Sequence, residues 1–271
     1  MPSAFSTIGV PLVDSEEDYD AWARRTAGDG QALSVAKGEY RILTSNAGPQ
    51  LWAAVDRQGR VVALTPHYAG TAVCRARLTG RINRSDESRF EGAYEGWAVS
   101  ESLKSAADAS WDTVPLLFDA PDFLAHLELR LPALVDVQIA AFAFECTWHR
   151  DLEAFDAAQA TAELPLAEQA FLYLDVFQDD PQRAATAILS AEVAETALQV
   201  NELSGDNFRW ASAHTLIGDL DIVADPAVVE GEPTAGGLVN GTFWLSGRIT
   251  SVHAQAQNAP RARPRLWQRR R

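Results

Sequence analysis

The close spacing of short apolar runs between residues 39 and 65 constrains this fold more than any other feature. Residues 39–44, 50–56 and 61–65 are aliphatic or aromatic stretches, separated only by turn sequences at 45–49 and 57–60. Connections that short join neighbouring antiparallel strands, because a parallel crossover needs about a dozen residues or more. The region therefore predicts an antiparallel meander. Further strands are expected over 72–83, 94–99, 114–118, 134–148 and 170–177. Two more are expected around Trp210 and over 220–226. A last run, 236–249, carries Gly236, Gly237, Gly241 and Gly247, which mark a strand that bends, bulges or passes close to another backbone.

Helical signals are few. Ser15 followed by Glu16, Glu17 and Asp18 predicts a capped helix over 16–27, with Tyr19, Trp22, Ala23 and Ala27 at helical spacing and Gly28 as its stop. Residues 151–162 predict a second, with Leu152, Phe155, Ala158 and Gln159 on one face and Asp151 in its first turn. The stretch 184–200 suits either a helix or a strand. A weak internal similarity favours the strand. Leu78 to Ile82, an aromatic strand with Trp97, and a run ending Asp119-Ala120-Pro121 match in order Leu189 to Val193, a strand with Trp210, and a run ending Asp225-Pro226.

The expected fold is a β-rich α+β protein of two tandem antiparallel β-sheet units, as partial barrels or a sandwich, with a few short helices. Residues 1–130 hold the N-terminal helix and meander. Residues 131–255 form a second β-rich unit, readable as a diverged repeat of the first, and 256–271 an arginine-rich tail.

Charge separates the tail from the body. Arg261, Arg263, Arg265, Arg269, Arg270 and Arg271 surround Trp267, with no acid among them. Taking those six from 23 basic residues leaves 17 against 37 acidic ones, so residues 1–260 carry about −20. Such a body repels phosphate backbones and anionic lipid headgroups, so membrane binding is not expected and nucleic acid is a candidate partner only through the tail. Arginine forks suit carboxylates and Trp267 offers an apolar anchor, so the tail predicts a protein partner or self-association. With two cysteines far apart, Cys74 and Cys146, and no basic-then-apolar leader at the N-terminus, the expected compartment is the cytoplasm.

No hydrolase elbow, phosphate-binding loop, zinc-protease or dinucleotide motif is present in the sequence, and neither a cofactor nor a metal site is expected. Asp119 and Asp122, just past a buried strand, and His67 at a proline-fixed strand end are the candidates for a carboxylate-based catalytic site between the two halves. Capping and turn roles explain the two aspartates more simply, and His67 suits a pocket-facing or a surface-turn position equally. Asp219 and Asp221 read as a solvated pair, and Cys146 with His149 as a core thiol and a strand-end imidazole. The expectation is a non-catalytic binding or assembly protein docking through Arg261, Arg263, Arg265, Trp267, Arg269, Arg270 and Arg271. The alternatives are a hydrolase or lyase using Asp119, Asp122 and His67, and nucleic-acid binding through the tail.

Overall fold

The computed structural model describes residues 3–11, 15–99, 113–173 and 182–253. The first helix, α1 (Glu16–Asp29), starts where Ser15 accepts a hydrogen bond from the Asp18 amide, and three acids in its first turn favour the positive end of the dipole. It then runs through Gly28 to a cap at Gly30. Four strands follow, β1 (Gln31–Val35), β2 (Gly38–Thr44), β3 (Pro49–Asp56) and β4 (Val61–Tyr68), paired in sequence order as an antiparallel meander. Helix α1 lies on one face of this sheet. Ala23 joins Leu51, Ala53 and Leu64 in one apolar cluster, and Tyr19 Oη accepts from the Leu64 amide at 2.8 Å.

The remaining strands are β5 (Val73–Ile82), β6 (Ala93–Val99), β7 (Thr113–Asp119), β8 (Ala133–His149), β9 (Ala170–Tyr173), β10 (Thr186–Val200), β11 (Asn207–Thr215), β12 (Gly218–Ala224), β13 (Val229–Glu230) and β14 (Leu238–Val252), with α2 (Leu152–Gln159) between β8 and β9. They form one ten-stranded sheet that closes on itself twice. Strands β5, β6, β7, β14 and β8 make one ring of pairings, and β10, β11, β12, β8 and β14 make another. The long antiparallel pair β8–β14 belongs to both.

The protein is thus β-rich α+β, with the large sheet mixed rather than wholly antiparallel. Strand β12 meets β8 in parallel, β13 does the same, and β7 meets β14 in parallel. Short turns dictate antiparallel pairing only between consecutive strands. Each ring is closed by strands that are not consecutive in the chain, β7 with β14 in one and β12 with β8 in the other, whose relative direction no turn fixes.

Alternation decides which side chains fill the rings. Val135, Val137, Ile139, Ala141 and Ala143 of β8 are buried with Ala187, Leu189, Ala191 and Val193 of β10 and Leu220, Ile222 and Ala224 of β12 in one continuous core. Alanine is frequent there because two rings sharing a wall leave little room. Close approach also explains two of the β14 glycines. A Cβ on Gly241 would lie 2.2 Å from the Glu145 carbonyl oxygen, and one on Gly247 2.5 Å from the Phe118 ring. The 184–200 stretch is strand, as β10. Strand β1 has no counterpart in the sequence reading. Residues 102–110, Trp111 and the whole 256–271 tail lie outside the described residues.

Candidate functional site: a cleft between the sheets

The face of the meander opposite α1 is set by register. Tyr40 pairs with Ala54, Trp52 with Thr65 and Gln50 with His67, so these side chains share one face. On β14, Trp244, Ser246 and Arg248 share a face at spacing two, opposite Phe142, Ala140 and Gln138 of β8. The two faces meet through polar contacts. His67 lies 2.8 Å from Ser246 Oγ through Nδ1 and 2.8 Å from Gln138 Oε1 through Nε2. The Arg248 guanidinium stacks 4.8 Å from the centre of the Trp52 ring, and the Trp52 indole donates to Gln50 at 3.0 Å.

Where the faces diverge, a small cleft with about 80 Å³ of room for water-sized molecules, partly open to solvent, runs between the meander and the ends of β7 and β14. Tyr40, Trp52, Phe90 and Trp244 give it aromatic walls, and Asp119, Glu87 and Glu91 give it carboxylates. Asp119 Oδ2 accepts from the Trp244 indole at 2.5 Å, and its Oδ1 lies 2.7 Å from Arg84 Nη1. Arg84 Nη1 also donates to Glu87 at 2.6 Å, and its Nε to the Arg183 carbonyl at 2.8 Å. Burial pushes the Asp119 carboxyl above its ordinary value, against the pull of Arg84 and Trp244. Burial likewise raises Glu87. Burial works against the charge on Arg84, but Asp119 and Glu87 outweigh it and hold the guanidinium protonated.

This cluster is under-bonded. Asp119 Oδ1 is charge-paired without an aligned donor, Glu87 Oε2 has no donor, and Arg84 Nη2 has no acceptor among the described residues. Asp119 and Glu87 share the Arg84 guanidinium and Glu91 lines the same cleft, so the carboxylates described there outnumber the guanidinium. Beyond Glu87 a second depression has Lys37 and Arg89 at its rim.

The three residues singled out as catalytic candidates are engaged one after another along β14. Trp244 holds Asp119, Ser246 holds His67, and Arg248 lies 3.8 Å from Asp122. Only Asp119 lines the cleft. His67 is fully buried, and burial, with Arg248 nearby, lowers its pKa to about 3. Asp122 is 2 % exposed and lies 3.3 Å from His126 Nε2. Among the described residues no three His, Cys, Asp or Glu side chains gather as metal ligands.

Asp219 and Asp221 differ from the solvated pair read in the sequence. Asp219 is exposed beside His214, whereas Asp221 is 1 % exposed and accepts from the Ala72 amide at 3.0 Å and the Trp210 indole at 2.8 Å. Burial raises the Asp221 carboxyl above its ordinary value, against the pull of the Trp210 indole and the Ala72 amide. Cys74 and Cys146 are buried and free, and burial raises both thiols to about 12. His149 is buried at the end of β8 and lies 2.7 Å from Asn240 Oδ1. Sequence reading missed Arg84, Glu87, Tyr40, Trp52 and Trp244 as site residues. The one available signal was the polar cluster at 83–88 directly after a strand.

No protein-family model, no curated protein and no solved structure matches this chain.

Proposed function

We propose that this chain is a non-catalytic binding protein whose ligand presents a guanidinium, amidinium or ammonium group to the cleft between the sheets. The carrying observation is the carboxylate cluster at an aromatic cleft, where Glu87 Oε2 lacks a hydrogen-bond donor and Asp119, already paired with Arg84, and Glu91 add further negative charge. A buried acceptor without a donor costs about 1–3 kcal/mol, and a cation carrying N–H groups recovers that cost. Rings of Tyr40, Trp52, Phe90 and Trp244 favour the flat or apolar body behind such a cation. Lys37 and Arg89 in the neighbouring depression disfavour a second positive group nearby.

A binding role suits the state of the site better than acid–base chemistry. His67 is neutral and enclosed and Asp122 is engaged away from the cleft, so neither of these two candidates stands beside Asp119 as an acid–base partner. We place the protein in the cytoplasm, a reading supported by its two reduced thiols. Among the described residues no helix is long and apolar enough to cross a membrane. The two matching rings of strands support descent from a duplicated half.

Titration of the full chain with benzamidine, followed by tryptophan fluorescence, tests the reading. Saturable quenching is expected, with affinity at least tenfold weaker in Asp119→Asn, a loss of about 1.4 kcal/mol. Equal affinity in the two proteins refutes it.

A further inference from the structure

We infer that the ligand of the cleft is a zwitterion, a small guanidino or amino carboxylic acid, whose cation meets the cleft carboxylates while its own carboxylate seats in the neighbouring depression among Lys37, Arg84 and Arg89. This rests on the cation-binding reading above and names the other end of the ligand.

Adjacency is the first argument. Glu87 lines both hollows, and Arg84 lines the second while its Nη1 pairs with Glu87 and Asp119, which line the first. Phe90, a wall of the cleft, carries the Arg89 guanidinium 5.6 Å from its ring centre. The cleft has about 80 Å³ of room for water-sized molecules, the depression about 300 Å³. A cationic head fits the smaller space, and the rest of the ligand needs the larger one. Phe123, Leu124 and Leu127 line that larger space and suit a short alkyl spine.

Charge is the second. Three cations line the depression against one carboxylate, and that carboxylate, Glu87, is already paired with Arg84. Lys37 and Arg89 pair with no carboxylate among the described residues. Glu87 in the same wall opposes a doubly charged phosphate, so a singly charged carboxylate is the better match.

Unmet hydrogen bonding is the third. Arg84 Nη1 and Glu87 Oε1 are joined at 2.6 Å, yet Arg84 Nη2 has no acceptor and Glu87 Oε2 no donor. The Arg84 side chain is 8 % exposed, so water does little to satisfy it. A simple cation serves only the oxygen and a simple anion only the nitrogen. A zwitterion serves both.

Calorimetric titration of the full chain tests the inference with guanidinopropionate, guanidinobutyrate and guanidinohexanoate, each beside the alkylguanidine of the same length. Acidic residues exceed basic ones by 14 across the chain, so its long-range field favours the alkylguanidines, and tighter binding of an acid reports the local cations. At the best length the acid is expected to bind roughly tenfold tighter than its alkylguanidine, and that ratio to fall to about one in the double variant Lys37→Gln, Arg89→Gln. Both of those side chains are exposed, so the fold does not depend on them. No advantage at any length, or an advantage of equal size in the double variant, overturns the inference. The cleft reading then still stands if Asp119→Asn weakens the alkylguanidines. Guanidino acids that bind Asp119→Asn as tightly as the parent mark a site for anions alone, and overturn the zwitterion. Absence of binding by both series overturns the cleft reading and the inference together.

Discussion

His67 is a neutral base sealed between two sheets, and this makes it a source of acid sensitivity. Its pKa falls from the usual 6.5 to about 3 on folding, chiefly through burial and secondarily through Arg248. Between those values the unfolded chain binds a proton that the folded chain does not, so this contribution is complete above pH 6.5 and is lost as pH falls. The slope is about 1.4 kcal/mol per pH unit within that window. The raised carboxyls of Asp119 and Asp221 contribute slopes of the opposite sign and cancel in a comparison with a variant. Urea unfolding of His67→Gln from pH 7.5 to 4.5 is expected to show a shallower loss of stability than the parent by that one-proton slope. Parallel pH profiles contradict the assignment. At this scale the sequence was informative about position and silent about partnership. Pro66 and the run before it place His67 at a strand end, but Ser246 is 179 residues away. Asp221 was misread for the same reason, since its donors, Ala72 and Trp210, come from a linker and a neighbouring strand.

The β14 strand organises both sheets, and its glycines show how tightly. A Cβ at Gly241 meets backbone of β8, which cannot swing aside as a side chain does. Gly241→Ala is expected to lower stability by about 1–3 kcal/mol, the usual cost of overpacking. The urea midpoint falls while its slope stays constant, and an unchanged midpoint contradicts the close approach. Helix α2 offers a local counterpart. Asp151 accepts from the Ala154 amide at 2.8 Å, so Asp151→Ala is expected to cost about 1 kcal/mol by the same measurement, and no loss contradicts the cap. Most elements were legible because each signal is local: an apolar run between turns for β3, alternation for β5, an acidic capped start for α1, and glycines for β14. What stayed hidden needed distant partners. Strand β1 is a five-residue edge, too short for the inward Leu33 and Val35 to stand out as a pattern, and the parallel closures join strands that are not consecutive in the chain, which no turn sequence encodes.

At the scale of the whole molecule, a meander packed against a doubly closed sheet creates the cleft, and neither layer alone contains it. Tyr40 and Trp52 come from one layer, and Asp119 and Trp244 from the other. For that reason the fold class was readable from strand spacing, whereas the site was not: Trp244 sits in an apolar strand like any core residue, and Arg84 in a polar turn like any surface residue. The central claim is that Asp119 and its neighbours receive a cation. Its most direct measurement is the indole N–H resonance of Trp244, assigned by Trp244→Phe, during benzamidine titration of the full chain. That proton is donated to Asp119, whereas the Trp210 indole is committed to Asp221. The account predicts a saturable shift at Trp244 with Trp210 unmoved. A Trp244 resonance that stays fixed while benzamidine binds elsewhere, or fails to bind, contradicts it.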